Sequence, residues 1–81
     1  MQVLYFSWLR ERIGTGAEEI RSDAATARDL VADLAARDER YASAFAEMKA
    51  VRVAVDQVMG DLDSSITGAR EVAFFPPVTG G

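Results

Sequence analysis

The groups best suited to chemistry lie at the end of the chain, in Val72-Ala73-Phe74-Phe75-Pro76-Pro77-Val78-Thr79-Gly80-Gly81. An apolar stretch that alternates like a strand runs into two prolines. Proline has no N–H for a sheet ladder and a fixed φ, so pairing is expected to stop near Phe75 and residues 76–81 to leave the body as a tail. Pro-Pro favours polyproline II geometry, and six residues at about 3 Å each reach on the order of 20 Å. A tail of that length can carry a terminal carboxylate into a partner's active site. Glycine at both final positions leaves no side chain to obstruct a narrow channel. Taken alone, the same ending also fits a frayed terminus.

The rest of the chain offers little else that reacts. There is no cysteine and no histidine among the 81 residues. That removes thiolate nucleophiles, disulfides, zinc–thiolate sites and the commonest general base, leaving carboxylates, hydroxyls and lysine. An independent enzyme is hard to build from that set. Most carboxylates fall at helix starts or in loops, where the helix dipole and solvent account for them. Asp61 and Asp63 lack the ligand spacing and downstream Glu of a calcium loop, and Gly14-Thr15-Gly16 lacks the Lys and helix of a phosphate loop. A net charge of −4 with no basic run gives phosphate backbones nothing to bind, so no nucleic-acid partner is expected. No apolar run approaches about eighteen residues, and Met1-Gln2-Val3-Leu4-Tyr5-Phe6 has no charged leader, so the expected location is cytoplasmic, away from membranes.

The elements that would position the tail can be taken in order. Residues 2–8 are rich in β-branched and aromatic types and predict a strand with Val3 and Tyr5 on one face, Leu4, Phe6 and Trp8 on the other. Leu9–Ile13 predicts one helical turn closed by Gly14, and residues 17–21 a short returning strand. Thr26, followed three residues later by Asp29, predicts a capped helix start. Ala27, Leu30, Val31, Leu34 and Ala35 then form one buried stripe. Tyr41, Ala44, Phe45 and Met48 suit a second, shorter helix at an edge of the core. Val51, Val53 and Val55 alternate as a strand that turns at Asp56-Gln57 into Val58-Met59, Ile66 suits a plug into the core, and Val72 to Phe75 is the last strand.

The chain is long enough for one domain, residues 1–75, of α+β class: a mixed sheet with one main helix packed on one face and a flexible C-terminal tail. The first and last strands, being most apolar, are expected to lie adjacent at its centre. A ferredoxin-like arrangement is the runner-up, but it needs two comparable helices. With the helix on one face, Val3, Tyr5, Val53, Val55, Val72 and Phe74 make the core. Phe6 and Phe75, with Met59, are left on the open face, an apolar patch at the root of the tail that suits a protein partner.

The ending Glu71-Val72-Ala73-Phe74-Phe75-Pro76-Pro77-Val78-Thr79-Gly80-Gly81 resembles that of the small, sulfur-carrier subunits of molybdopterin synthase, a ubiquitin-like β-grasp family. Support comes from the aromatic first strand leading into Arg10-Glu11 and Gly14, the Thr26-capped helix, and Val53-Ala54-Val55-Asp56-Gln57. Asp56 stands where the family commonly has Asn, and Thr67-Gly68-Ala69-Arg70-Glu71 replaces its acidic turn. The resemblance implies that an E1-like adenylating enzyme, using ATP and Mg²⁺, activates the Gly81 carboxylate. A persulfide donor then makes it a thiocarboxylate, and the tail enters the large synthase subunit to give sulfur to a cyclic pterin precursor. No cofactor is bound permanently, and the assembly is a heterotetramer. It further implies a reacting end at Gly80 and Gly81 and an inserting tail, Pro76, Pro77, Val78 and Thr79, which joins the open-face residues Phe6, Met59 and Phe75 as the expected partner contacts. A thiazole-pathway sulfur carrier, or a ubiquitin-like modifier conjugated through Gly81, remains the alternative.

Overall fold

The computed structural model describes residues 1–77. Five strands, β1 (Gln2–Tyr5), β2 (Ala17–Glu19), β3 (Arg52–Val55), β4 (Val58–Gly60) and β5 (Glu71–Phe75), form one sheet in the order β2-β1-β5-β3-β4. β1 and β5 are parallel, with Tyr5 opposite Phe74, while β2 against β1, β3 against β5 and β4 against β3 are antiparallel. The two most apolar strands are therefore adjacent, and β5 is central. Parallel neighbours need a crossover, which here contains the helices α1 (Trp8–Ile13), α2 (Ala27–Arg37) and α3 (Glu39–Ala44) and a 3-10 helix, Met48–Ala50. This is the α+β mixed sheet expected of the residues and the ubiquitin-like β-grasp arrangement that the resemblance implied.

α2 begins where the Thr26 hydroxyl accepts the Asp29 N–H at 3.1 Å, satisfying one of the donors that a helix start leaves free. It buries Ala27, Leu30, Val31 and Leu34 against the sheet, whereas Ala35 lies at the margin. The core is completed by Val3, Tyr5, Val53, Val72 and Phe74 from the strands, Leu9 and Ile13 from α1, Tyr41, Ala44 and Phe45 around α3, and the Ile66 plug. Val55, expected in the core, only packs against its edge because β3 ends there and the chain turns away.

The first strand is shorter than its composition predicts. It stops at Tyr5, and Trp8, expected to extend it, opens α1. The break is Ser7, whose φ of 58° and ψ of −134° reverse the chain, with the Leu9 N–H donating to the Phe6 carbonyl at 3.2 Å. That is the first central position of a type II′ turn, and it overrides the strand preference of the neighbouring aromatics. The returning strand likewise stops at Glu19, leaving Ile20 buried beyond it.

Candidate functional site

The site is built on the end of β5. Phe74 is fully buried, stacked on Tyr5 at a ring distance of 6.3 Å and met edge-on by Phe45 at 5.0 Å. Aromatic pairs at such distances add about 0.5–1.5 kcal/mol each beyond the area they bury. They fix the last residue but one of the strand. Phe75, pointing the other way, sits opposite Arg52 of β3 and is half-buried. On its other side the Phe6 N–H donates to the Phe74 carbonyl at 3.1 Å, carrying the β1–β5 ladder one step further and setting Phe6 beside Phe75. Pro76 and Pro77 follow without regular structure, as the missing N–H donors require.

The pairing registers define the face away from the helices. One row crosses all five strands as Ala17, Leu4, Ala73, Ala54 and Met59. The next, toward the tail, is Phe6, Phe75 and Arg52. Small residues in the middle leave a flat floor, and larger apolar groups stand at its sides: Phe6 is 46% exposed and Met59 66%. Among the described candidates, Phe6, Met59 and Phe75 thus share one face; Phe6 and Phe75 stand at the end where β5 runs into Pro76–Pro77, and Met59 lies one row back on the edge strand. The expectations for Val78, Thr79, Gly80 and Gly81 lie outside the described residues. Sequence reasoning missed Val58, which is 68% exposed although its partner Val55 has the parity of the core face. β4 is an edge strand of three residues, and no helix reaches over it.

The charged groups outside this face are structurally engaged where the argument for a second centre would need them free. Asp63 pairs with Arg28 at 2.9 Å, which holds its carboxyl below the usual range, and Asp61 accepts the Asp63 N–H at 2.9 Å inside its own turn. Asp33 is likewise held low, first by the Ser22 hydroxyl and then by Arg37. On the core side, Glu18 accepts hydrogen bonds from Tyr5, at 2.8 Å, and from Tyr41. Burial, reinforced by that carboxylate, raises both phenols above their ordinary value. The trio ties β2 to β1 and α3. Among the described residues, no group of three or more acidic side chains is arranged to hold a metal ion. Among the described residues the arrangement offers an apolar face beside a fixed strand end.

Residues 3–81 match the family model described as the ThiS family. The chain belongs to the ThiS family. Among curated relatives of this ThiS-family chain, the molybdopterin synthase sulfur carrier subunit of Escherichia coli (strain K12) is 42% identical over 81 residues, covering 100% of this chain and 99% of the relative. The subunit of the same name from Haemophilus influenzae is 40% identical over the same coverage. In the crystal structure of SAMP1 from Haloferax volcanii the fold recurs with a TM-score of 0.73 over 100% of this chain and 98% of that one; at 23% identity the likeness speaks to fold alone. The resemblance read from the Phe-Phe-Pro-Pro-Val-Thr-Gly-Gly ending and the β-grasp fold it implied are both borne out.

Proposed function

We propose that this chain is the sulfur carrier of a molybdopterin synthase and that its reacting group is the C-terminal carboxylate of Gly81. The observation that carries the reading is the direct run from a central strand, locked by Phe74, into Pro76-Pro77 and the Val78-Thr79-Gly80-Gly81 ending, in a chain 42% identical end to end to a subunit of that name. A carboxylate is ionised at neutral pH and a poor electrophile, so a leaving group must be installed before sulfur can attack. An E1-like adenylating partner does this with ATP and Mg²⁺. Sulfur from a persulfide donor displaces AMP, and the resulting thiocarboxylate is itself a nucleophile toward the pterin precursor.

The small subunit is not an enzyme alone; the pocket in which sulfur is transferred belongs to the large subunit, in a heterotetramer. Phe6, Phe75 and Met59 seat the carrier on its partners, while Pro76, Pro77, Val78 and Thr79 thread. Pro-Pro limits the entropy lost in threading. Among the described residues no helix is long and apolar enough to cross a membrane, and the proposed location is cytoplasmic, with neither membrane nor nucleic acid as partner.

Intact-mass analysis after incubation with the adenylating enzyme, ATP and a sulfur source tests the reading. A single oxygen-to-sulfur exchange at the C-terminus is expected, and none after deletion of Gly80 and Gly81. Adducts on lysines of other proteins with no thiocarboxylate would instead assign the chain as a modifier.

A further inference from the structure

Of the basic side chains in this acidic chain, Arg28, Arg37 and Arg40 are each paired with an aspartate. Arg52 is different. It is exposed, makes no ion pair among the described residues, and faces Phe75 where β5 runs into Pro76. The row of the open face nearest the tail is Phe6, Phe75 and Arg52, so Arg52 is the charge in a row that is otherwise aromatic.

Its guanidinium is already held. Nη1 donates to the Lys49 carbonyl at 3.0 Å and to the Val51 carbonyl at 3.3 Å, and the Nε and Nη2 donors have no partner among the described residues. Those two donors lie along one edge of the guanidinium, the fork that takes a carboxylate through both of its oxygens. Elsewhere the chain uses that same fork: Arg37 holds Asp33 through Nε at 3.1 Å on one oxygen and Nη2 at 3.1 Å on the other. An adjoining groove of about 520 Å³ is lined by Arg52, by Lys49, which also makes no ion pair among the described residues, and by Asp61 and the Arg28–Asp63 pair. A polyanion brought to this groove would meet both aspartates, whereas a single carboxylate has only to reach Arg52.

We propose that the protein which covers Phe6 and Phe75 presents one aspartate or glutamate carboxylate to the Nε–Nη2 edge of Arg52, with Lys49 adding to the attraction. In the carrier cycle that protein is the large subunit, and the inference rests on that reading. Arginine does not shed its proton, so when a partner's apolar surface excludes water beside Phe75 the guanidinium needs an anion to offset its lost hydration. The two carbonyl bonds to Nη1 already restrain the side chain, so little further freedom is lost when the fork closes. Apolar contact through Phe6 and Phe75 is non-directional, whereas a two-oxygen fork has a fixed geometry. The pair therefore sets the orientation in which the carrier docks.

Titration calorimetry of the full chain against the large subunit, at about 50 mM and about 500 mM salt, tests the contact. Arg52→Gln is expected to weaken binding at least about tenfold, and Arg52→Glu at least about a hundredfold because it adds repulsion. Arg52→Lys, which keeps the charge and loses the fork, should fall between wild type and Arg52→Gln. Raised salt should narrow the gap between wild type and Arg52→Glu. Arg70→Gln removes an exposed charge at the opposite end of β5 and should bind within about twofold of wild type. Melting temperatures of the free variants, expected within about 2 °C of wild type, control for folding. Wild-type affinity in Arg52→Gln at both salt concentrations, or an equal loss in Arg70→Gln, would overturn the contact and leave the carrier reading standing. A wild-type chain that does not bind the large subunit at all would overturn both.

Discussion

Asp56 and Glu71 are joined twice: the Asp56 N–H donates to the Glu71 carbonyl at 2.9 Å, and the Asp56 carboxylate accepts the Glu71 N–H at 3.0 Å. The same Oδ1 also accepts the Arg70 N–H at 2.9 Å. The β3–β4 turn is thereby bonded to the first residue of the central strand. Asp56 and Gln57 both have positive φ, 49° and 67°, the two-residue type I′ geometry that Asn and Asp tolerate better than most side chains. Asp56→Ala loses both side-chain bonds and is strained at its φ, so a loss of about 2 kcal/mol in urea denaturation is expected, at the lower end of the sum because the site is exposed. Asp56→Asn keeps an oxygen at the same place and should stay within about 0.5 kcal/mol of the wild type.

Ser7, at the opposite end of the sheet and close to the root of the tail, also has positive φ. Its hydroxyl makes no capping bond to α1, so its side chain gives nothing in return for a φ of 58°. Glycine adopts that conformation without a Cβ penalty, and Ser7→Gly is expected to raise stability by about 0.5–1 kcal/mol. A rise in the thermal midpoint measures this; an unchanged or lower midpoint would mean that the turn is not strained.

What could be read in advance depended on how local its cause was. Thr26 with Asp29, the Asp56-Gln57 turn and the Ile66 plug each follow from residue types within a few positions, and each occurs where expected. The adjacency of the first and last strands followed from their apolarity on both faces. The end of β1 was hidden because aromatic Phe6 and Trp8 favour strand, while the reversal is imposed by a single serine in an uncommon conformation. Glu18 gave no sign of its role, since Tyr5 lies 13 residues from it and Tyr41 23 residues. Of the site, the root was legible from the alternation through Phe74 and Phe75. Val58 was not, because parity assigns a face but says nothing of whether an edge strand is covered.

The Glu18 cluster should make the fold sensitive to alkali. Tyr5 is buried, and burial first, then its bond to Glu18, raises its phenol. A group raised in the folded state contributes stability that is full below its unfolded value, near pH 10, and that is lost as pH rises beyond it. Urea midpoints should therefore fall as pH rises above about 10, over and above the effect of net charge. Tyr5→Phe is expected to flatten that fall. It should also lower stability at neutral pH by about 1–2 kcal/mol, the value of a hydrogen bond to a charged acceptor, with Tyr41 left as the remaining donor to Glu18. An unaltered alkaline slope in Tyr5→Phe would remove Tyr5 from this role.

The face that carries Phe6 and Met59 is predicted to separate binding from folding. Both side chains are largely exposed, 46% and 66%, so replacing either by Asp removes little from the core and should change stability by no more than about 0.5 kcal/mol. In a complex with the large subunit the same aspartate would be buried against an apolar surface without a partner, a penalty of several kcal/mol. On the proposed docking face Phe6 adjoins Phe75 at the root of the tail, whereas Met59 lies on the edge strand. Central anchors carry more of the binding energy than peripheral ones. Phe6→Asp is therefore expected to weaken binding by at least about 2 kcal/mol, some thirtyfold, and Met59→Asp by less. Titration calorimetry against the large subunit measures both, with thermal melts of the free variants as the control on folding. Wild-type affinity in Phe6→Asp would place the partner elsewhere on the molecule and leave the tail as its only point of attachment at this end of the sheet.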